Sequence, residues 1–261
     1  MENHLLNIGF ALLLTGIMVN LYSLWWSTER LQNIIKGIFW LALLSLTVAI
    51  IVRIAATGRL PSASMYEFIL IFTWAILCLF VITRQKFNSP VFDLLSNILV
   101  VLLLLAASFL PSETRPLMPA LQSAWLHIHV LTAIIAYGSF AVAFCLAGVY
   151  LFQENNTATA ELRRLDQLIY RLVVLGFVFL SLVIITGAIW AEQVWGNWWT
   201  WDPKETWSLV TWLVYAAYLH ARRTYNWKGR KSAVMVIVGF VVVLITLFGV
   251  SLILPGLHSY I

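Results

Sequence analysis

Tryptophans are concentrated in one short stretch of this 261-residue chain, where seven of the thirteen fall between Trp190 and Trp212. Five of them lie within thirteen consecutive residues: Trp195, Trp198, Trp199, Trp201 and Trp207. Indole faces supply broad, rigid contact area, so this density predicts a binding platform for a large, flat, apolar ligand. The alternative is a belt of tryptophans at the lipid headgroups, although such belts are usually scattered over several helix ends.

The end of this tryptophan cluster carries the signals that open a helix. Asp202 is suited to the N-cap, Pro203 to the first helical position and Glu205 to the third, and together they predict a capping box. On this interpretation Asp202 and Glu205 are primarily structural. The charge of Lys204 either meets an anionic group on a ligand or simply faces solvent.

The candidate metal ligands come from the five histidines: His4, to which no role is assigned, His127, His129, His220 and His258. His129 is predicted near the outer end of the fifth membrane span and His258 just after the eighth, both on the side of the tryptophan cluster. Imidazole is a common axial ligand of haem iron, so we hypothesise that His129 and His258 bind iron from opposite faces. His127 and His129 are about 200° apart on a helix, so only one faces the same pocket, and His127 is the bystander.

His220 is predicted near the opposite end of the seventh span. It follows the tryptophan cluster by about 20 residues, which at about 1.5 Å per residue approaches a bilayer thickness. His220 therefore cannot share the outer pocket. Two interpretations stay open: a ligand at a second, inner site, or an interfacial histidine that extends towards the headgroups beside Arg222 and Arg223.

The elements that must position these residues are membrane helices. The chain is 62% hydrophobic and only 10% charged, with a mean hydropathy of +0.90, whereas soluble domains carry about a quarter charged residues. The composition predicts an all-α integral membrane protein, a bundle of about eight transmembrane helices with an external tryptophan-rich loop. The predicted spans are 6–26, 35–56, 66–84, 92–110, 125–152, 168–190, 206–223 and 233–254.

The basic residues predict how the chain is oriented. The loops after odd-numbered spans, with their flanks, hold twelve of the sixteen Lys and Arg residues. Since cytoplasmic loops are rich in these residues, both termini and the loop 191–205 should lie outside. This placement explains the net charge of +5 without a nucleic-acid partner. Arg53 and Glu67, at the outer ends of two adjacent spans, are predicted to pair or to reach the interface.

Other chemistry is missing from the sequence. Cys78 and Cys145 each lie inside an apolar run, and no C-x-x-C occurs, so the chain has neither a thiol-redox pair nor a haem attachment site of its own. The N-terminus lacks the basic region of a signal peptide, so the first run is predicted to be a retained span. No nucleophile, catalytic carboxylate pair or phosphate loop is evident, so binding and positioning are the expected contributions.

Five segments resemble one known family, and the first of them along the chain, 64–68, is similar to a family stretch that opens an earlier span. The stretch 195–207, W-G-N-W-W-T-W-D-P-K-E-T-W, resembles the WWD signature of haem-handling membrane proteins in its CcsA (ResC) form. Segments 121–130, 218–222 and 256–260, which contain His129, His220 and His258, resemble the family's histidine segments. The likeness runs from about residue 60 onwards. It divides the chain into 1–60, two N-terminal spans, and 61–261, an assembly domain with the WWD loop at 191–207.

The resemblance implies a subunit of the system II cytochrome c synthase (haem lyase), acting with a CcsB (ResB) membrane partner. Haem b would enter at a transmembrane site and pass to an outer site, where it is joined to the C-x-x-C-H cysteines of apocytochrome c. His129 and His258 would be the outer axial ligands and His220 a transmembrane ligand. The five loop tryptophans and Asp202 would form the haem-binding loop.

Two alternatives to the synthase subunit remain at this stage. One is a CcmC-like haem delivery protein without synthase activity, although the segment D-P-K-E-T-W and the eight spans favour CcsA. The other is a transmembrane b-type cytochrome that carries electrons. The expected location is the bacterial cytoplasmic (inner) membrane, or the thylakoid membrane for a plastid protein.

Overall fold

The chain is built of long helices. The computed structural model describes residues 1–61, 64–113, 119–154 and 159–250, and within these ranges the regular structure is entirely helical. The long helices are α1 (Glu2–Ser23), α2 (Glu29–Thr57), α3 (Met65–Lys86), α4 (Pro90–Ser108), α5 (Ala124–Gln153), α6 (Thr159–Trp195), α7 (Pro203–Thr224) and α8 (Arg230–Leu244). A 3₁₀ turn at Pro119–Leu121 precedes α5, and a π-helical turn at Ile245–Gly249 continues α8.

The predicted fold class is confirmed. Seven helices in the described part of the chain are long and apolar enough to cross a membrane, which makes this a multi-span integral membrane protein. The α7 helix, which holds the predicted seventh span, has 22 residues but is not among the seven. Its polar content explains the difference: Lys204 and Glu205 open this helix, Arg222 and Arg223 close it, and half of the residues between them are tryptophan, tyrosine, threonine, serine or histidine.

Side-chain caps define where several helices begin. The hydroxyl groups of Thr28, Ser64 and Ser123 accept hydrogen bonds from backbone N–H groups in the first turns of α2, α3 and α5. Such a cap satisfies a donor that would otherwise lack an intrahelical partner. The helices thus start before their lipid-facing segments, which is why α2 begins at residue 29 rather than at the predicted 35.

The end of α6 corrects the predicted bounds of the tryptophan loop. The predicted span ended at residue 190, but α6 continues through Trp195, so residues 191–195 are helical and the connecting loop is 196–202. Hydropathy marks only the apolar part of a helix that contacts lipid, so it cannot locate the end of the helix itself. In α6 the helical hydrogen bonds continue past residue 190 through polar residues such as Glu192 and Gln193. Gly196 ends the helix with a φ of +74°, and its N–H donates to the Glu192 carbonyl at 2.8 Å, as glycine commonly does after a helix.

Packing divides the chain into two compact units, Met1–Pro116 (unit 1) and Leu117–Tyr260 (unit 2). In unit 1, α1 packs against α2 and α4, and α3 packs against α2 and α4. In unit 2, α5 packs against α6 and α8, while α7 packs against α6 and α8. The boundary at residue 60, which was drawn from the family resemblance, is not the boundary between these two units and stays a prediction.

Unit 1 contains a buried ion network at the ends of α2 and α3. Arg53 Nε donates to Glu67 Oε1 at 3.1 Å, which confirms that these two residues pair. Arg53 Nη1 also reaches Glu2 Oε1 at 2.9 Å, and Arg59 Nη1 reaches Glu67 Oε2 at 2.8 Å. Two arginines thus neutralise two glutamates, which makes the burial of these charges tolerable within a membrane.

Small residues set the packing of unit 2. The α5 helix is the most buried of the seven apolar helices, and alanine, glycine and serine make up much of its buried surface. Small side chains allow helices to approach closely in membranes. At this contact, a Cβ added to Gly176 of α6 would lie 2.5 Å from the Phe140 ring of α5. The close approach of α5 and α6 is what positions the candidate site.

Candidate functional site

His129 lies near the start of α5, with its ring directed at α6. Its Nδ1 lies 2.9 Å from the carbonyl oxygen of Val183. Because a carbonyl oxygen only accepts, Nδ1 carries the hydrogen and donates it, so the lone pair of the neutral ring is on Nε2. Histidines that bind metals are commonly oriented by such a bond from the other ring nitrogen.

The contact with α6 depends on a glycine. A Cβ built on Gly187 would lie 2.9 Å from both Cε1 and Nδ1 of the His129 ring. That spacing is shorter than real side chains tolerate, so the ring occupies space that any other residue at 187 would need. Gly187 and Val183 are four residues apart on one face of α6. This face therefore shapes a seat for the imidazole.

Trp190 completes the seat on the same face of α6. Its ring stacks with the His129 ring at a centroid distance of 6.4 Å and an interplanar angle of 22°. The indole is 2% exposed, and its Nε1 donates to the Ala120 carbonyl at 3.0 Å. Trp190 also meets Trp195 edge to face at 4.9 Å. The His129 ring thus contacts Trp190, and Trp190 contacts Trp195, so ring contacts connect the imidazole with the rest of the predicted tryptophan cluster.

Sequence reasoning missed Trp190 and Gly187 as parts of the site. Trp190 was noted in the cluster, but it was not among the candidate binding residues. A signal was present, because Val183, Gly187 and Trp190 follow the i, i+4, i+7 spacing of one helix face. That spacing becomes informative only once His129 is known to face it.

The loop 196–202 presents indoles outward on a constrained backbone. Trp198 is 59% exposed and Trp201 is 68% exposed, while Trp199 is half-buried and perpendicular to Trp201 at 5.7 Å. Trp201 has a φ of +59°, a conformation that few residues other than glycine adopt. The Thr206 hydroxyl donates to the Trp201 carbonyl at 3.3 Å, which helps to hold this turn.

The predicted capping box is confirmed at the start of α7. Asp202 Oδ1 accepts from the Lys204 N–H at 2.9 Å, and Glu205 Oε2 accepts from the N–H groups of Thr200 at 2.8 Å and Asp202 at 3.2 Å. Both carboxylates therefore tie the loop to the helix. Partial burial lowers the pKa of the Lys204 amine, and the nearby Asp202 carboxylate partly offsets that effect. Trp207 is half-buried in the second turn of α7.

His220 lies at the other end of α7, as predicted. It is separated from Pro203 by seventeen residues, about 26 Å along a helix. The imidazole is exposed and meets the Tyr225 ring edge to face at 5.7 Å. Leu213 and Ala217 are also exposed, so His220 sits on an open, mostly apolar face.

The remaining histidines complete the account of the predicted ligands. His127 Nδ1 lies 3.0 Å from the carbonyl oxygen of Ser123, the N-cap residue of its own helix, and its interpretation as a bystander stays a prediction. His258, the predicted second outer ligand, lies outside the described residues, so its pairing with His129 stays a prediction.

Comparison with known proteins identifies the family. Residues 63–258 match the family model for "Cytochrome C assembly protein". "Cytochrome c biogenesis protein CcsA" of Chlamydomonas reinhardtii is 37% identical over 259 residues, covering 94% of this chain and 71% of that protein. The chain belongs to the CcsA family of cytochrome c assembly proteins. A CcsA of Prochlorococcus marinus (strain MIT 9303) is 33% identical, with 97% of this chain and 91% of that protein covered.

A solved structure shares the fold of this CcsA family member. "Cytochrome c Heme Lyase CcmF" matches with a TM-score of 0.76 at 16% identity, and the match covers 95% of this chain and 46% of that one. At this identity the likeness concerns the fold alone. Together with the CcsA relatives, the family assignment confirms the resemblance stated from the sequence and gives the chain a role in cytochrome c biogenesis.

Proposed function

We propose that this protein binds haem b as a substrate of cytochrome c assembly, with His129 as one axial ligand of the iron. The observation that carries the proposal is the 2.9 Å hydrogen bond from His129 Nδ1 to the Val183 carbonyl. It places the lone pair on Nε2, the form of imidazole that binds a metal. The stacked Trp190 ring gives the imidazole a second orienting contact.

The exposed indoles of the loop support a flat, apolar ligand. Trp198 and Trp201 expose more than half of their surface, and burying apolar surface is favourable by about 25 cal/mol per Å². In the proposed site these indoles, with Trp195, Trp199 and Trp207, contact the haem macrocycle. Asp202 acts indirectly, since its carboxylate caps α7 and so holds the loop.

The second outer ligand in this proposal is His258, and that assignment rests on the family resemblance. The WWD loop and both outer ligands would lie on the non-cytoplasmic side, with both termini outside. The proposed location is the bacterial inner membrane or, in a plastid, the thylakoid membrane. This orientation rests on the distribution of Lys and Arg.

His220 is proposed as a ligand of a separate transmembrane haem site. Its distance along α7 from the loop excludes a shared pocket. The exposed face of Leu213, Ala217 and His220 suits a neighbouring helix, because small residues allow close packing. We propose that the CcsB (ResB) partner covers this face and supplies the second histidine.

The proposed chemistry adds each cysteine thiol of the apocytochrome C-x-x-C-H across a haem vinyl group. The sulfur forms the new carbon–sulfur bond, the thiol hydrogen goes to the other vinyl carbon, and no group leaves. The chain's own residues hold the haem and exclude water, which raises the effective concentration of the reacting groups. The protein thus acts as a subunit of a holocytochrome c synthase rather than as a complete enzyme.

The test uses the protein purified together with its CcsB partner and a C-x-x-C-H peptide. The wild-type complex should contain haem and attach it covalently to the peptide. His129→Ala should change the optical spectrum of the bound haem and abolish attachment, whereas His127→Ala, two residues away, serves as the matched control. His127→Ala should leave both the spectrum and attachment unchanged.

Three results would contradict parts of the proposal. Normal attachment by His129→Ala without added imidazole would remove His129 from the ligand set. Haem that is bound but never attached by the wild-type complex would indicate delivery rather than synthesis. Reversible oxidation and reduction of the haem without attachment would favour a b-type electron carrier.

A further inference from the structure

Unit 1 contains a cavity that the haem proposal does not use. It has a volume of about 300 Å³ and opens between α2 and α3, at the end of the unit that is predicted to face the cytoplasm. Its polar lining includes Glu29, Asn33, Lys36, Arg84, Gln85 and Asn88. The volume is at the lower end of the range for small-ligand sites.

Arg84 is the fixed cation of this cavity. Its Nε donates to Asp93 Oδ1 at 2.8 Å, and its Nη2 donates to the carbonyl and the side-chain oxygen of Gln32 at 3.1 and 2.8 Å. The Arg84 side chain is only 11% exposed. Three oxygens therefore hold the guanidinium, while its Nη1 makes none of the hydrogen bonds formed within the described ranges. A guanidinium fixed in this way is well suited to receive an anionic oxygen.

Lys36 adds a second, mobile cation, while the other walls are amphipathic. The Lys36 side chain is exposed, so it can move to meet a ligand that rests against Arg84. Phe39 and Val81 are buried beside it, and Trp40 is 47% exposed. An exposed tryptophan next to basic and amide side chains is typical of the level of the lipid headgroups.

We propose that this cavity binds the headgroup of an anionic phospholipid, with the phosphate held by Arg84 and Lys36. The lining carries two cations, Arg84 and Lys36, and one carboxylate, Glu29, while the Asp93 carboxylate is bonded to Arg84 Nε. The phosphate is therefore matched by N–H donors of Arg84 Nη1 and Lys36 Nζ rather than by an excess of positive charge. The amides of Asn33, Gln85 and Asn88 match the hydroxyl groups of a glycerol headgroup, and the apolar side receives the acyl chain. Basic pockets between helices on the cytoplasmic side are known lipid headgroup sites.

The experiment measures lipid retention by native mass spectrometry on the purified, delipidated full chain. Phosphatidylglycerol, phosphatidylethanolamine and inorganic phosphate are added in separate titrations. The wild type should bind one phosphatidylglycerol in preference to phosphatidylethanolamine. Lys36→Gln should weaken binding about fivefold, the effect of one basic residue near anionic lipid, and Lys36→Glu should weaken it about 25-fold.

Lys86→Gln is the matched control. Like Lys36→Gln, it removes one positive charge from an exposed lysine. Lys86 lies two residues from Arg84 at the end of α3 but does not line the cavity. It should bind phosphatidylglycerol like the wild type. Equal losses in Lys36→Gln and Lys86→Gln would overturn the site, since general surface charge would then explain binding. Equal affinity for phosphatidylethanolamine would overturn the anionic assignment. Displacement of lipid by millimolar phosphate would assign the cavity to a soluble anion instead.

Discussion

Gly187→Ala offers a direct test of how α6 orients the proposed haem ligand. The new Cβ would lie 2.9 Å from Cε1 and Nδ1 of His129, whereas ordinary contact begins at 3.4 Å. The ring must therefore recede by the difference between these values, about 0.5 Å. If it moves straight away from α6, the 2.9 Å bond to the Val183 carbonyl lengthens to about 3.4 Å, near the limit of a hydrogen bond.

The expected consequence is weaker binding of haem without loss of the helix. Loss of a partner that orients a ligating histidine lowers metal affinity about 10- to 100-fold, so haem titration followed by absorbance should show a shift in this range. Alanine is a better helix former than glycine by about 1 kcal/mol, so circular dichroism should be unchanged. Added imidazole should restore part of the spectrum, because it replaces a displaced ligand.

Gly37→Ala is the control for this prediction. Gly37 lies inside α2, and a Cβ added there meets no atom within 4 Å, so the substitution should leave haem affinity unchanged. The reasoning would be refuted if Gly187→Ala bound haem with wild-type affinity and spectrum while His129→Ala lost both. His129 would then be a ligand whose orientation does not depend on α6.

Three further predictions concern the loop, the ion network and the inner site. Glu205→Ala removes the acceptor that caps the Asp202 N–H, so the free energy of unfolding should fall by about 1 kcal/mol. Denaturant titration in detergent measures this change. An unchanged free energy of unfolding would mean that the cap does not stabilise the protein. Glu67→Gln keeps an oxygen that accepts a hydrogen bond but removes the negative charge that faces Arg53 at 3.1 Å and Arg59 at 2.8 Å. The free energy of unfolding should fall by about 3 kcal/mol or more, because a buried cation loses a charged partner. A loss below about 1 kcal/mol would show that Glu2 alone compensates. His220→Ala should lower the haem content of the purified complex, assayed as pyridine haemochrome, and an unchanged content would make His220 a bystander.

Several features were predictable because their causes are local. The apolar runs predicted the number and order of the helices, since only a satisfied backbone can cross lipid. Asp202 and Glu205 predicted the capping box, since a cap involves residues only three positions apart. Pairing of Arg53 and Glu67 was one of two predicted outcomes, the other being that both reach the interface, because an isolated charge would be costly there.

Other features depended on contacts that no local pattern contains. The end of α6 at Trp195 was predicted five residues too early, because a helix continues past its lipid-facing segment into polar residues. Trp190 and Gly187 were missed because their role depends on facing His129. The bond from His129 to Val183 joins residues 54 positions apart.

The sequence alone thus determined the class of protein, its helices, the capped loop and, through its motif, its family. Only the tertiary structure decided that one face of α6 forms the seat of His129 and that Arg84 is held beside a cavity. The physical reason is that hydropathy and capping act between near neighbours in the chain. The orientation of an imidazole or a guanidinium depends instead on the helices that packing brings against it.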